Sequence, residues 1–236
     1  MRRWPSTAPS GRAAKVPSSA SRRCRGRSAA WGSRSKKVLR ASEQDPVQRA
    51  AWWSGLEDVD PAALVFVDES GTNLAMTPRY GRAPPGERVV GTAPRDHGKD
   101  TTLVAALTLD GMTAAMTVEG ALDRPAFDAF VAQVLAPRLH PGQVVIWDNL
   151  SVHKSDAAQR LLADRGCQLL WLPPYSPDYT PIEQAFSKLK AALRRTGART
   201  REALDEAITA ALATIMAGDA VGWFAHCGYP IPAHLL

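Results

Sequence analysis

The sequence places two aspartates directly after short apolar runs and a glutamate at the start of an amphipathic stretch. Asp68 follows Leu-Val-Phe-Val, and Asp148 follows Gln-Val-Val-Ile-Trp. Glu183 comes next along the chain, with 34 residues between it and Asp148. Carboxylates that are brought together repel one another unless a cation lies among them. The three residues therefore predict a divalent cation site, provided that the fold brings them together.

Oxygen ligands of this kind indicate Mg²⁺, which takes few carboxylates and keeps water or substrate phosphate in its other positions. Two such ions about 3.5–4 Å apart can activate an attacking oxygen and stabilise a leaving oxygen in phosphodiester chemistry. The sequence lacks the motifs of several competing chemistries: it has no P-loop, no Gly-x-Ser-x-Gly, no His-Glu-x-x-His and no dinucleotide glycine fingerprint. The residues thus favour metal-dependent chemistry.

Each carboxylate also has a purely structural interpretation. An aspartate at the end of a strand is often a turn residue, and Asp148-Asn149 has that character. Thr180-Pro181-Ile182-Glu183 is a capping box with proline at the first helical position, which explains Glu183 without any metal. Only the combination of the three residues favours the functional interpretation.

The elements that would position these residues follow from the hydrophobic pattern. Strands are predicted at 64–67, 101–109, 112–118, 143–147 and 168–172, and helices at 123–136, 155–165, 181–195 and 200–217. This order predicts a mixed α/β sheet flanked by helices. If the strands ending at Asp68 and Asp148 are parallel neighbours, they lie about 4.8 Å apart. Residues 71–95, rich in Gly, Pro and Arg, are predicted to form an inserted, exposed basic hairpin.

The net charge of +6 is unevenly distributed along the chain. Residues 1–40 carry 12 Lys and Arg and no acidic residue, whereas residues 41–236 have a net charge of −6. Because residues 1–34 show no hydrophobic period, we predict a disordered basic arm. A nucleic-acid-binding arm, a transit peptide and coding sequence read in a shifted frame are three open interpretations of it.

Cysteine usage and hydropathy bear on the compartment. The three cysteines are far apart and form no Cys-x-x-Cys pair, which argues against a disulfide scaffold and a zinc ribbon. No apolar run approaches the roughly 18 residues that a membrane span needs, so no membrane association is expected. A reducing, cytoplasmic location fits these features best.

Three stretches around the carboxylates read VFVDESGTN, VVIWDNLSVHK and LLWLPPYSPDYTPIEQAFSKLK. Together they resemble a DDE transposase of the mariner superfamily, in its bacterial insertion-sequence-630 branch. YGRAPPGER and the ending WFAHCGY are also similar to that branch, so the resemblance covers about residues 35–236. It implies a ribonuclease-H-like fold in which Asp68, Asp148 and Glu183 form the catalytic triad and bind Mg²⁺, with Mn²⁺ as a substitute. It further implies double-stranded DNA as the partner, cleavage at transposon ends, transfer of the 3′-hydroxyl to target DNA, and a homodimer on paired ends.

The sequence departs from the family at two places. The loop before Glu183 reads Asp-Tyr-Thr-Pro where the family has Asp-Leu-Asn-Pro, and the Thr can still cap the helix. Nothing in residues 1–34 resembles the family's helix-turn-helix module, so residues 1–40 are expected to be a truncated or frame-shifted remnant. The other predicted segments are a linker helix over 41–62, a ribonuclease-H-like catalytic domain over 63–218 and a C-terminal tail over 219–236. A regulatory fragment that binds DNA or a full-length transposase, and an inactive relic, are the alternatives to an active enzyme.

Basic residues near the triad are candidates for DNA contacts. Lys190 and Arg194 follow Glu183 at helical spacing, and they either contact phosphates beside the scissile bond or form an ordinary solvated helix face. His153, five residues after Asp148, is a candidate for contacting DNA or orienting the site, with a surface position at a helix entry as the alternative.

Residues farther from the triad are further candidates for DNA binding. Arg82 and Arg88 belong to the basic segment 71–99, which is either a DNA-contacting clamp or a soluble hairpin. Trp171, Tyr175 and Tyr179 are candidates for stacking on flipped bases, or for packing of the proline-rich loop.

Overall fold

The computed structural model describes residues 41–232. The predicted basic arm, residues 1–40, lies outside this range, as do residues 233–236 of the predicted tail. The strands in the described range are β1 (Leu64–Thr72), β2 (Thr101–Thr108), β3 (Gly111–Glu119), β4 (Val144–Trp147) and β5 (Gln168–Trp171). The α-helices are α1 (Pro46–Ser54), α2 (Arg124–Phe130), α3 (Asp156–Asp164), α4 (Ile182–Thr196), α5 (Arg201–Leu212) and α6 (Ala217–His226).

All five strands belong to one mixed sheet with the order β3-β2-β1-β4-β5. β1, β2 and β3 pair antiparallel, whereas β4 is parallel to both β1 and β5. The predicted mixed α/β sheet flanked by helices is therefore confirmed. The condition set for bringing Asp68 and Asp148 together, that their strands are parallel neighbours, is met.

Helices cover both faces of the sheet, and alternate residues of the central strands supply the two halves of the core. Phe66 and Ile146 pack with buried side chains of α4, α5 and α6. Val65 and Val145 point the other way and pack with side chains of α2, of the turn after it and of α3. β1 and β4 are buried on both faces along these apolar runs, as is typical of strands in the centre of a covered sheet.

Two predictions about the first strand and its connection were wrong. β1 does not end at Asp68 but continues to Thr72, because residues 66–72 pair in register with β2. The connection that follows, residues 73–100, is largely exposed, as predicted, but contains no strand and so is not an inserted hairpin. Its proline and glycine content explains this difference, since proline removes a ladder donor and both residues disfavour strand interiors.

The C-terminal helices also differ from the prediction of one helix over 200–217. α5 ends at Leu212, and Met216 takes an extended conformation, with φ −97° and ψ 163°. The Met216 N–H donates to the Asp219 carboxylate, which starts a new helix, so Gly218 lies inside α6 instead of ending α5. No single helix of residues 41–232 is long and apolar enough to cross a membrane, although α5 and α6 pass that test as a pair bent by 77°.

Candidate active site

The register between β1 and β4 places Asp68 and Asp148 side by side. Phe66 is paired with Ile146 in this parallel ladder, and each aspartate lies two residues further along its own strand direction. Side chains alternate along a strand, so both aspartates share the face of Phe66 and Ile146, which is the face that α4 covers. The register and the alternation of side chains thus place both aspartates on one sheet face.

Helix α4 supplies the third carboxylate from the same face. Glu183 is the second residue of α4, whose buried face consists of Ile182, Ala185, Phe186, Leu189 and Leu193. The predicted capping box does not form: Pro181 is at the N-cap without a side-chain bond, and the buried Thr180 hydroxyl has no partner in the described range. Capping therefore does not explain Glu183, which is exposed at the mouth of the site.

The three carboxylates line one open cavity of about 460 Å³. Burial, and next the neighbouring charges of Glu69, Glu183 and Asp148, raise the pKa of Asp68 from 3.8 to about 8, against the lowering effect of the Glu69 N–H that it accepts. Asp68 is thus a carboxyl whose ionised form the metal-free fold disfavours. A cation beside it would reverse that balance, because an opposite charge stabilises the ionised form.

His153 lies fully buried behind the cavity, between two carboxylates. Its Nδ1 is 2.5 Å from Oδ1 of Asp148, and its Nε2 is 3.2 Å from Oε2 of Glu69, an ion-pair distance without hydrogen-bond geometry. Burial lowers the pKa of His153, but the two carboxylates outweigh it and raise this pKa to about 9. The two carboxylates thus favour the charged form of the ring, and its Nδ1 contact orients Asp148.

This placement distinguishes between the alternatives for His153. The ring is 0% exposed and packs 4.5 Å from the Phe127 ring, centroid to centroid, so neither a surface position nor a direct DNA contact agrees with the structure. Asp148 is both a turn residue and a cavity residue. Its Oδ1 accepts the Leu150 N–H at 3.0 Å, and the residue lines the cavity.

The donor set fits a magnesium ion. Across residues 41–232, no three His, Cys, Asp or Glu side chains are close enough to enclose an ion by themselves. Mg²⁺ does not need such a cage, because it is commonly held by one or two carboxylates together with water and substrate phosphate. Asp68, Asp148 and Glu183 offer only oxygen donors, and a hard cation among them would stabilise the ionised form of Asp68 that the metal-free fold disfavours.

The predicted basic residues lie where DNA can reach them. Lys190 and Arg194 continue the Glu183 side of α4, are partly exposed, and form no ion pair with any residue of 41–232. Arg82 and Arg88 lie in the exposed segment 73–100 and likewise have no ion-pair partner in that range. Lys190 and Arg194 therefore lie about two and three helical turns from Glu183 on the same side of α4, whereas Arg82 and Arg88 lie in the long connection.

Two residues with a part in the site were missed by the sequence interpretation. Glu69 directly follows Asp68 in β1, so its side chain points to the other face of the sheet. Only the fold shows that His153 lies beside it on that face. Arg49 of α1 contacts the loop before Glu183 through Asp178, from 129 residues away along the chain. No local pattern could have indicated a contact of that separation.

Comparison with known proteins defines the class of this site. The sequence matches the DDE superfamily endonuclease family over residues 63–205, and the chain therefore belongs to that family. No curated protein matches the sequence significantly.

Solved structures of the Mos1 transposase share the fold. The paired-end complex with the left transposon end gives a TM-score of 0.63 at 17% identity, covering 81% of this chain and 62% of that chain. The Mos1 mariner paired-end complex with Mn gives 0.62 at 18% identity, with the same coverage. The catalytic domain of Mos1 mariner transposase gives 0.53 at 14% identity, covering 80% of this chain and 91% of that one. The sheet is therefore ribonuclease-H-like, and this chain spans less than two thirds of the Mos1 chains in the paired-end complexes.

Proposed function

We propose that this protein is a transposase that cuts double-stranded DNA at transposon ends and joins the freed 3′-hydroxyl to target DNA. One observation carries the proposal: carboxylates from β1, β4 and α4 line a single cavity of about 460 Å³. Membership of the DDE superfamily endonuclease family supports it. Asp68, Asp148 and Glu183 would hold Mg²⁺, or Mn²⁺ in its place.

Each residue has a separate part in this chemistry. Bound divalent ions supply a polarised attacking oxygen and stabilise the leaving oxygen. Asp68 and Asp148 fix one wall of the site from adjacent strands, and His153 keeps the Asp148 carboxylate oriented. Glu183 faces them from α4. Water first displaces the DNA 3′-oxygen at phosphorus, which leaves a 3′-hydroxyl and a 5′-phosphate. That hydroxyl then displaces the corresponding oxygen of the target, so one phosphodiester forms as another breaks.

The chain's own surface supports DNA as the substrate. Lys190 and Arg194 extend from Glu183 along α4 without ion-pair partners in residues 41–232, so their charges are free to meet phosphates. Contacts of this kind position a duplex without reading its sequence. The stretches VVIWDNLSVHK and YGRAPPGER favour the bacterial insertion-sequence-630 branch, and with it action as a homodimer on paired ends in the bacterial cytoplasm.

The ligands of the Mos1 structures add support. Those structures are of that transposase with transposon ends, with Mn and with Mg. Because the sequence identities to Mos1 are below 20%, DNA, Mn²⁺ and Mg²⁺ are proposed as ligands of this chain on that support. The absence of a helix-turn-helix from residues 1–34 stays a sequence prediction, because those residues lie outside the described range.

The test is metal-dependent cleavage of plasmid or pre-cut end DNA by the full chain. Glu183→Gln is the sharpest variant, because Glu183 is exposed and its carboxylate supports no helix cap. We expect it to fold normally and to lose cleavage in Mg²⁺ and in Mn²⁺. Glu202→Gln is the matched control, since Glu202 is the exposed second residue of α5, and it should cleave like the wild type.

The result also separates the alternatives. Cleavage by the wild type that is lost in Glu183→Gln supports an active enzyme. DNA binding by both proteins without cleavage by either would favour the regulatory fragment. Neither binding nor cleavage would favour the relic.

A further inference from the structure

The loop that leads from β5 into Glu183 is held by few bonds of its own. We call residues 172–181 the proline loop; most of its residues line the carboxylate cavity. Four of its ten residues are proline and donate no backbone hydrogen bond. Tyr175 has a φ of 56°, a left-handed conformation that is strained for a non-glycine residue. A loop of this kind keeps one conformation only if its surroundings hold it.

Helix α1 provides that hold through one arginine. Arg49 pairs with both carboxylate oxygens of Asp178, at 3.0 and 2.6 Å. The same guanidinium donates to the Ser176 hydroxyl at 2.6 Å and lies 3.8 Å from the centre of the Tyr179 ring. Three successive parts of the loop thus converge on one side chain. The planar, forked guanidinium suits this arrangement, since it pairs bidentately and stacks on aromatic faces.

Aromatic packing seats α1 against the same loop. The ring of Trp52 is stacked on Tyr179, with centroids 5.3 Å apart, and Trp53 meets Tyr179 edge-on at 5.2 Å. Tyr229, which follows α6, donates its hydroxyl to the Tyr179 carbonyl at 2.7 Å. Because Trp52 is itself buried in the core, α1 is a fixed support.

The position of the loop decides what faces the cavity. Its last residue, Pro181, is the N-cap of α4, so the loop and the start of the Glu183 helix are continuous. Tyr175 lies at the opposite end of the clamped segment, is 56% exposed and is one of the residues that line the cavity. A shift of the loop would therefore move Tyr175 and the first turn of α4 relative to Asp68 and Asp148.

We propose that Arg49 is a positioning residue of the active site, which fastens the proline loop to α1 and thereby sets Glu183 and Tyr175 against the DNA strand being cut. The role of Glu183 in this statement rests on the proposed function. The mechanical part, that Arg49 orders the loop, rests on the contacts alone.

The first test measures loop order without using activity. Amide hydrogen exchange is followed at Tyr175, Ser176, Asp178, Tyr179 and Thr180 in the full chain. Arg49→Ala should speed exchange at these amides by about tenfold or more, because a local opening becomes easier. Lys188→Ala is the matched control, since the Lys188–Asp219 ion pair has the same 2.6 Å length as Arg49–Asp178 but links α4 to the start of α6. It should leave loop exchange unchanged.

The second test separates positioning from DNA affinity. Arg49→Ala should lower kcat for cleavage about 10- to 100-fold, the cost of a misplacement of about 1 Å, while KM for DNA changes little. Arg49→Lys keeps the charge but not the bidentate pair and should recover only part of kcat. Asp178→Ala should lower kcat less in the Arg49→Ala background than in the wild type, because the two substitutions remove one shared link.

The outcomes keep the two proposals apart. Unchanged loop exchange in Arg49→Ala would overturn the clamp, whatever the protein cleaves. A raised KM with normal kcat, or additive effects of the two substitutions, would overturn the positioning role. A wild type that neither binds Mn²⁺ nor cuts DNA would refute the proposed function, while the exchange data would still decide whether Arg49 orders the loop.

Discussion

At the scale of single residues, Asp68 shows how burial near other carboxylates makes an ionised carboxyl unfavourable in the folded protein. Burial and the charges of Glu69, Glu183 and Asp148 raise its pKa from 3.8 to about 8. A carboxyl with a raised pKa in the fold binds its proton more tightly there than in the unfolded chain. The contribution of Asp68 to the stability of the metal-free protein therefore falls as pH rises from about 4 towards 8, and that loss is complete above this window. A functional site that binds a cation commonly lowers the stability of the fold in this way.

Removing the charge should therefore stabilise the metal-free protein. Asp68→Asn keeps the shape of the side chain and has no ionised form, so we expect it to raise Tm, by about 2–4 °C for each kcal/mol gained. The gain over the wild type should be small at pH 4 and grow towards pH 8. Thermal denaturation with a chelator across this pH range measures it.

Two controls make that result specific to the cavity. Asp58→Asn changes an exposed aspartate and should leave Tm unchanged at every pH. Added Mg²⁺ or Mn²⁺ should raise Tm of the wild type and have less effect on Asp68→Asn, because a ligand stabilises only the fold that binds it. A gain in Tm that is the same at pH 4 and pH 8 would contradict the explanation by charge.

At the scale of elements, local periodicity predicted the parts of the site that depend on one strand or one helix. The apolar runs before Asp68 and Asp148 predicted the buried parts of β1 and β4, and the register of these strands then places both aspartates on one sheet face. The 3.6-residue period placed Glu183, Lys190 and Arg194 away from the buried face of α4. These features follow from which side chains must be buried, and the sequence shows that directly.

Features that depend on contacts between distant elements were beyond the sequence. Thr180 has the residue type of a cap, yet its hydroxyl is buried without a partner in the described range and Pro181 occupies the cap position. For His153 the sequence left a DNA contact, an orienting role and a surface position open, and only the packing of Phe127 of α2 and Glu69 of β1 around it shows that it is enclosed beside Asp148. Such outcomes are decided by packing between elements, which residue types and local spacing do not encode.

The polar face of α4 leads to the second prediction. Lys190→Glu combined with Arg194→Glu should weaken DNA binding, because two charges that are free to meet phosphates are reversed. The slope of log affinity against log salt should also become shallower, by about 0.9 for each phosphate that the protein no longer neutralises. Binding to a duplex, measured across a range of salt concentrations, tests both effects.

A matched pair on the opposite face of the sheet supplies the control. Arg160 and Arg165, at α3 and its C-cap, are exposed, and α3 packs on the face away from α4. Arg160→Glu with Arg165→Glu changes the net charge by the same amount. Equal loss of affinity in both double variants would mean that net charge alone matters and would contradict a DNA-binding role for α4.

At the scale of the whole molecule, the long connection between β1 and β2 contrasts with the packed domain around it. Arg199 donates to the carbonyls of Leu74 and Met76 and so fixes the start of this connection. Residues 79–92 are all exposed and contain no regular structure. Long irregular loops are uncommon in compact domains and usually have a function. Together with Arg82 and Arg88, this favours the DNA-contacting interpretation over a merely soluble segment.

Replacing residues 79–96 with a short Gly-Ser linker separates folding from binding. Loop closure depends only weakly on length, about 0.6 kcal/mol for each doubling, so the free energy of unfolding should change by about 1 kcal/mol or less. DNA affinity should fall, because the replacement removes a basic segment. Arg82→Ala with Arg88→Ala keeps the loop length and should reproduce most of that fall if charge is the cause. Unchanged DNA affinity in the shortened protein would mean that the segment only connects β1 to β2. A large loss of stability would show that the segment packs against the domain.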